Sequence, residues 1–194
     1  MSIISTATIP VLHFDHKDVA LVASSSSLLN EELGSEIDKF NTVIRFNGAP
    51  TIGYEKYVGS KTTIRVMNHA TLRRAKNLRE MKNSKFLIYT GDTWDKKKPA
   101  FLDPSIDFYY MKPQPLDYED VGAPLRTGMM MTQLCVQAGL IPHLFGFDIK
   151  TTYTGSHYWE ERRVGATAHN GVFESKVYCR MLKEGRIVEG GSCG

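Results

Sequence analysis

The sequence predicts an α/β protein, a single-domain, Rossmann-like α/β/α sandwich built on a mainly parallel sheet. Two observations predict it. Short apolar runs recur at Val19–Val22, Thr42–Phe46, Thr63–Met67, Phe86–Tyr89, Ile106–Tyr110 and Leu144–Phe147, with the length and composition of strands covered on both faces. Helical patterns alternate with them at Leu28–Ile37, Thr71–Met81 and Gly128–Ala138, and a last one runs from Phe173 to Lys183. The stretch Lys98–Pro124 is proline-containing and reads as irregular, and no internal repeat divides the chain, so residues 1–194 are expected to form one domain. In sheets of this kind ligands collect beyond the carboxyl ends of the strands, where loops enter helices.

The 194 residues are 42% hydrophobic and 23% charged, enough for one sizeable core and far from a disordered composition. The formal charge of +3 comes from scattered Lys and Arg, apart from Lys96-Lys97-Lys98 and the pair Arg73-Arg74. That suits an anionic small ligand. No basic stripe interleaved with aromatics accompanies it, so nucleic acid is not an expected partner. No stretch approaches the ~18 apolar residues of a membrane span and no secretory signal opens the chain, so neither a membrane anchor nor export is expected. Cys135, Cys179 and Cys193 fit neither a metal-ligand spacing nor an even disulfide framework, and no Asn-x-Ser/Thr acceptor occurs. Both absences point to a reducing compartment, the cytoplasm.

Three places carry chemistry. Val19–Ala23 runs into Ser24-Ser25-Ser26-Ser27 and then an expected helix with Glu31 and Glu32 in its first turn. Small residues admit a ligand to the backbone and serines can bond it, although a plain serine N-cap has the same appearance. The glycines of a dinucleotide fingerprint and the Gly-Lys of a P-loop are absent, which argues against nicotinamide or ATP. In the second place, Arg126-Thr127-Gly128 opens an apolar helix, where free amides, the helix dipole and an arginine favour an anion; a capped core helix is the alternative. The third place is Gly155–Glu160 with Ala168–Glu174, in which His157 and His169 flank turns near carboxylates, the pattern of acid/base or phosphate work or of two structural histidines. With no His-x-x-x-His and no Asp-x-Asp, no metal site is expected.

Together these segments resemble family 29 of the glycosyltransferases, the eukaryotic-type sialyltransferases. The family's large motif is similar to Val19–Asn68, most tellingly in Glu36-Ile37-Asp38 and in the run Asn41–Arg65 that contains Arg45-Phe46-Asn47-Gly48-Ala49-Pro50. Its small motif is similar to Leu125–Asp148, its third to His157-Tyr158-Trp159-Glu160, and its last, a His with Glu five residues on, to His169 and Glu174. The resemblance implies a GT-A-like fold and an inverting, metal-independent transfer of sialic acid from CMP-sialic acid to a glycan hydroxyl, with no cofactor besides the donor. It puts His169 on the general base, His157 on the histidine at the donor phosphate, and Asn47, Thr127 and Gly128 on CMP-binding positions. Ser24 and Ser27 stand where the family has asparagines, and Arg126 where it has a serine; all three are expected at the nucleotide with altered contacts. Val19 and Gly139 replace the two cysteines that the family joins. A CMP-Kdo-type transferase and a non-catalytic CMP-sugar-binding relative remain as alternatives, and an unrelated Rossmann-like nucleotide enzyme as a third.

Overall fold

The computed structural model describes residues 3–4, 18–68, 71–72, 84, 86–90, 107–111, 125–149, 157–160 and 171–191. Among these, eight strands form one parallel sheet: β1 (Ile3–Ile4), β2 (Val19–Val22), β3 (Thr42–Phe46), β4 (Ile64–Asn68), β5 (Phe86–Thr90), β6 (Asp107–Met111), β7 (His143–Phe145) and β8 (Val188–Glu189). Their order is β1-β6-β5-β4-β3-β2-β7-β8. The strand order therefore reverses at β2, which pairs with β3 on one side and β7 on the other. A reversal of this kind leaves a crevice at the carboxyl ends of the two flanking strands, because their connections leave on opposite faces.

The faces of the sheet are read from strand alternation. Val19 and Leu21, Ile44 and Phe46, Ile64 and Val66 pack with α3 (Thr127–Gln137) and α4 (Gly171–Lys183) through Met129, Met131, Leu134, Val177 and Met181. Ala20, Val22, Val43 and Phe145 point the other way, onto Leu28, Ile37 of α1 (Gly34–Ile37), Val58 of α2 (Glu55–Val58) and Tyr158. A sheet thus covered on both faces confirms the α/β architecture.

Arg45 and Arg65 break the apolar pattern on that second face. They are register partners on β3 and β4, with 1% and 0% exposure. Arg45 donates from Nε to Lys61 O (3.0 Å) and Thr62 Oγ1 (3.2 Å), and from Nη2 to Val58 O (2.6 Å). Arg65 Nη1 donates to Asn47 O (2.8 Å) and Ala49 O (3.1 Å). Burial pulls the Arg45 guanidinium down to about 10, with Arg65 adding to the effect and Tyr158 and Asp38 opposing it, so it stays charged at neutral pH.

Two expectations need correction. The helix over 28–37 is broken: a 3-10 turn at Ser26–Asn30 ends in extended backbone at Glu31 (φ −136, ψ 145), and α1 starts only at Gly34. The break lets Gly34 approach α2 so closely that a Cβ there would lie 1.9 Å from Glu55 O. Glu31 and Glu32 consequently head no helix, and Glu32 pairs instead with Lys56 at 2.7 Å. The last predicted strand stops at Phe145, because Gly146 turns left-handed (φ 67) where Leu28 leaves no room for a side chain. Of the helix expected over 71–81, residues 71–72 are helical and the remainder lies outside the described residues.

Asp38, the C-cap of α1, ties that helix to the loop before β4. Its carboxylate accepts from Ser60 N (3.0 and 2.9 Å), the Ser60 hydroxyl (2.9 Å) and Lys61 N (2.9 Å). Burial alone would raise this carboxyl; the two amides, the hydroxyl and the Arg45 charge outweigh it and hold the group below its ordinary 3.8. A depressed folded-state value means that the unfolded chain binds the proton first, so the stabilisation is full above 3.8 and fades as pH falls through the lower folded value. Asp38→Asn is expected to lose about 1 kcal/mol at neutral pH in urea unfolding. The gap to wild type should close below 3.8; a gap independent of pH would dismiss the carboxylate account.

Candidate active site

The crevice at the carboxyl ends of β2, β3 and β7 gathers most of the predicted residues that lie in the described parts. After β2, Ser25 caps the 3-10 turn, accepting from Ser27 N at 3.1 Å. Its hydroxyl donates to Asp148 Oδ2 (2.5 Å), and the Ser27 hydroxyl reaches Asp148 Oδ1 (2.7 Å). Asp148 lies three residues beyond β7, in a left-handed conformation (φ 48). A non-glycine residue in that region is uncommon and costs about 1 kcal/mol or more, which the surrounding contacts must offset.

Asn47, directly after β3, is the other left-handed non-glycine residue among the described positions (φ 52). Its N–H donates to Val66 O (2.7 Å) and its Oδ1 accepts from Asn68 N (3.0 Å). Asn68 in turn accepts from Thr71 N (2.9 Å).

His157 enters from a distant part of the chain as an isolated antiparallel bridge to Ser25, and Tyr158 N donates to Ser24 O at 3.1 Å. Tyr158 is the anchor. Its buried ring meets Tyr54 and Trp159, and its hydroxyl donates to Pro50 O. The His157 imidazole stacks on Trp159 with centroids 4.6 Å apart, and Nδ1 lies 3.3 Å from Glu160 Oε2. The stack and the neighbouring carboxylate together set the plane of the imidazole.

Thr127 and Gly128 begin α3, whose N-cap, Arg126, makes no side-chain cap bond. Gly128 fits under the Phe147 ring, where a Cβ would come within 3.0 Å of the ring edge, and Phe147 packs edge-on against Phe46 at 6.0 Å. The start of α3 is thereby joined to the ends of β3 and β7. The Arg126 side chain turns to α4: Nη1 lies 3.3 Å from Glu174 Oε2, and Arg126 N donates to Glu174 Oε1 at 2.7 Å. Glu174 is 2% exposed. Gly171 leaves room for the Arg126 side chain, since a Cβ there would sit 2.8 Å from Nη2. His169 lies outside the described residues, two positions before α4 begins.

Ser24, Ser27, Asn47, Thr127, Gly128 and His157 therefore stand at the carboxyl edge of the sheet around β2, β3 and β7, and Arg126 is held by Glu174. Sequence reasoning gave no role to Asp148, Arg45 or Arg65. An acid just past a short strand at a topological reversal was the available signal for Asp148. Among the described residues no group of three or more His, Cys, Asp or Glu is placed to hold a metal ion, and Cys135 and Cys179 are free thiols. Burial raises the Cys135 thiol to about 12, so it is an inert core group.

Residues 10–95 match glycosyltransferase family 29 (sialyltransferase). Over those residues the chain is similar to that family. It is 39% identical over 94 residues to the beta-galactoside alpha-2,6-sialyltransferase 2 of Bos taurus, which covers 48% of this chain and 18% of that protein. With the beta-galactoside alpha-2,6-sialyltransferase 1 of Mus musculus the figures are 40% over 94 residues, 48% and 22%. The matched segment thus spans about a fifth of the length of these relatives. The fold is similar to the crystal structure of a mammalian sialyltransferase with a TM-score of 0.63 at 23% identity, over 95% of this chain and 72% of that one. A second crystal structure of a mammalian sialyltransferase, in complex with Gal-beta-1-3GalNAc-ortho-nitrophenol, gives 0.60 at 23% identity, over 91% and 70%. At that identity the likeness is one of fold, and it extends beyond the family 29 segment to the part that carries α3, His157 and α4. No helix among the described residues is long and apolar enough to cross a membrane.

The Arg126–Glu174 contact fastens the first turn of α3 to α4, so its loss should register as stability. Glu174→Ala leaves the Arg126 amide without its acceptor and is expected to cost roughly 1–3 kcal/mol in urea unfolding. Glu174→Gln keeps an acceptor and should cost less; equal losses would mean that charge, not the amide bond, is what matters.

Proposed function

We propose that this chain is a glycosyltransferase that moves sialic acid, or a related 2-keto acid sugar, from a CMP-linked donor to a glycan hydroxyl with inversion. The observation that carries the reading is the convergence of Asn47, the Ser24–Ser27 turn, the open N-terminus of α3 and His157 on one crevice at the strand-order reversal. Serine hydroxyls, an asparagine amide and Asp148 are groups that hydrogen-bond a nucleoside, whereas helix amides at Thr127 and Gly128 suit a phosphate.

In this reading the donor phosphate lies on the first turn of α3 and on His157. The imidazole, set by its stack on Trp159 and by Glu160, meets the charge that grows on the departing CMP, and such a positioned donor stabilises the transition state more than the ground state. His169 takes the proton of the acceptor hydroxyl as that oxygen attacks the anomeric carbon. The phosphate charge is met by protein groups, so the reaction needs no metal. The cysteine positions, with Val19 and Gly139 in place of the family's joined pair, support a chain that works in a reducing compartment such as the cytoplasm.

Isothermal titration is expected to show CMP binding in preference to UMP and AMP, and release of CMP from CMP-sialic acid should persist in EDTA. Failure to bind CMP would dismiss the reading, and binding without any release would leave a nucleotide-sugar-binding protein in its place. His157→Ala should weaken CMP binding and turnover together. His169→Ala should bind CMP normally and lose ~10²–10⁴ in transfer rate, measured with donor and acceptor saturating; near-normal transfer would assign the base elsewhere.

A further inference from the structure

We propose that Arg65 is a positioning residue of the nucleotide site: its buried guanidinium fixes the left-handed Asn47 so that the Asn47 Nδ2 group faces the ligand. This rests on the nucleotide reading above. Asn47 has four hydrogen-bonding groups, and three are committed within the protein. Its N–H goes to Val66 O, its C=O receives Arg65 Nη1 at 2.8 Å, and its Oδ1 receives Asn68 N at 3.0 Å. Asn68 N can only donate, so the atom facing it must be Oδ1, and Nδ2 is left as a donor turned away from the backbone of β4. Asn47 is half-buried at the carboxyl end of β3, where a ligand in the crevice would supply the acceptor.

The left-handed backbone (φ 52) makes this orientation possible and gives it a cost that something must offset. Arg65 does so. The same Nη1 also donates to Ala49 O at 3.1 Å, so one rigid group pins the carbonyls on both sides of Gly48. A lysine at this position would keep the charge but has no planar fork to span two carbonyls. Arg65 is fully buried, and its path to a ligand runs through the Asn47 carbonyl that it holds.

The test is a double-mutant cycle on the full chain, with CMP as ligand and near-UV circular dichroism as the check on folding. Arg65→Lys is expected to weaken CMP binding about tenfold, the worth of one good hydrogen bond. In an Asn47→Gly background, where glycine takes the left-handed backbone without strain and no side chain remains to aim, Arg65→Lys should change CMP affinity less than about twofold. If the wild-type chain does not bind CMP, the nucleotide reading falls and the inference falls with it. If it does bind, a folded Arg65→Lys chain with wild-type affinity, or the same factor lost in both backgrounds, overturns the inference alone. Should Arg65→Lys not fold, the wild-type chain still decides: nitrogen-15 relaxation should show the Asn47 Nδ2 group as rigid as the backbone before CMP is added, and its signals should move on addition. A side chain mobile on the timescale of that measurement in the free protein would overturn the preset orientation.

Discussion

Two guanidinium groups buried side by side under the sheet set the conditions for everything at its carboxyl edge. A charged group taken fully out of water is tolerated only where its protons find acceptors, and here the acceptors are backbone carbonyls of segments with little regular structure. Arg45 takes those of Val58 and Lys61, and Arg65 takes those of Asn47 and Ala49. The dependence is mutual. Buried carbonyls in these turns need donors, and the guanidinium groups need acceptors. Apolar side chains of equal size would remove the desolvation cost and leave those carbonyls buried and unsatisfied.

Once these loops are rigid, they form the seat for a segment that arrives from more than a hundred residues further on. Tyr158 fills the hollow beside Tyr54 and bonds Pro50 O, within the field of Arg45, while its own amide holds Ser24 O. His157 is therefore placed by three separate stretches: the β2 loop that it bridges, the β3–α2 loop that holds its neighbour, and the Trp159–Glu160 turn that it stacks on and faces. A histidine held this way keeps one orientation with or without a ligand, which is the requirement for a group that must meet charge as it develops.

The strands were legible because a parallel sheet covered on both faces demands uninterrupted apolar runs, and β2 to β7 stand within one or two residues of their expected places. The helix over 28–37 was not, because its break is dictated by the approach of Gly34 to Glu55 O, a tertiary contact with no local signal. Arg45 and Arg65 were quoted within strand runs yet gained no role, since alternation marks which face a residue takes and not what awaits it there. The site fared similarly. Serines, Asn47, Gly128 and His157 could be placed by motif and by the rule of strand ends, but the pairing of Arg126 with Glu174, 48 residues apart, belongs to the packing of α3 on α4. Tertiary competition of this kind redirects a long, flexible cation more readily than a short hydroxyl or a backbone amide.

That redirection changes where positive charge is found at the carboxyl edge of the sheet. With the Arg126 guanidinium bound to Glu174, the positive partial charge beside β7 is that of the first turn of an eleven-residue helix, worth about half an elementary charge. Asp148, next in the chain to the Phe147 that packs on Gly128, supplies a carboxylate whose oxygens are bonded by Ser25 and Ser27. A helix N-terminus suits a phosphate and a carboxylate suits a hydroxyl or amino group, so the two kinds of group stand ready for the two parts of a nucleotide. Both arrangements follow from ordinary packing, a glycine that admits Arg126 to α4 and a left-handed backbone at Asp148, and neither requires a ligand to be present.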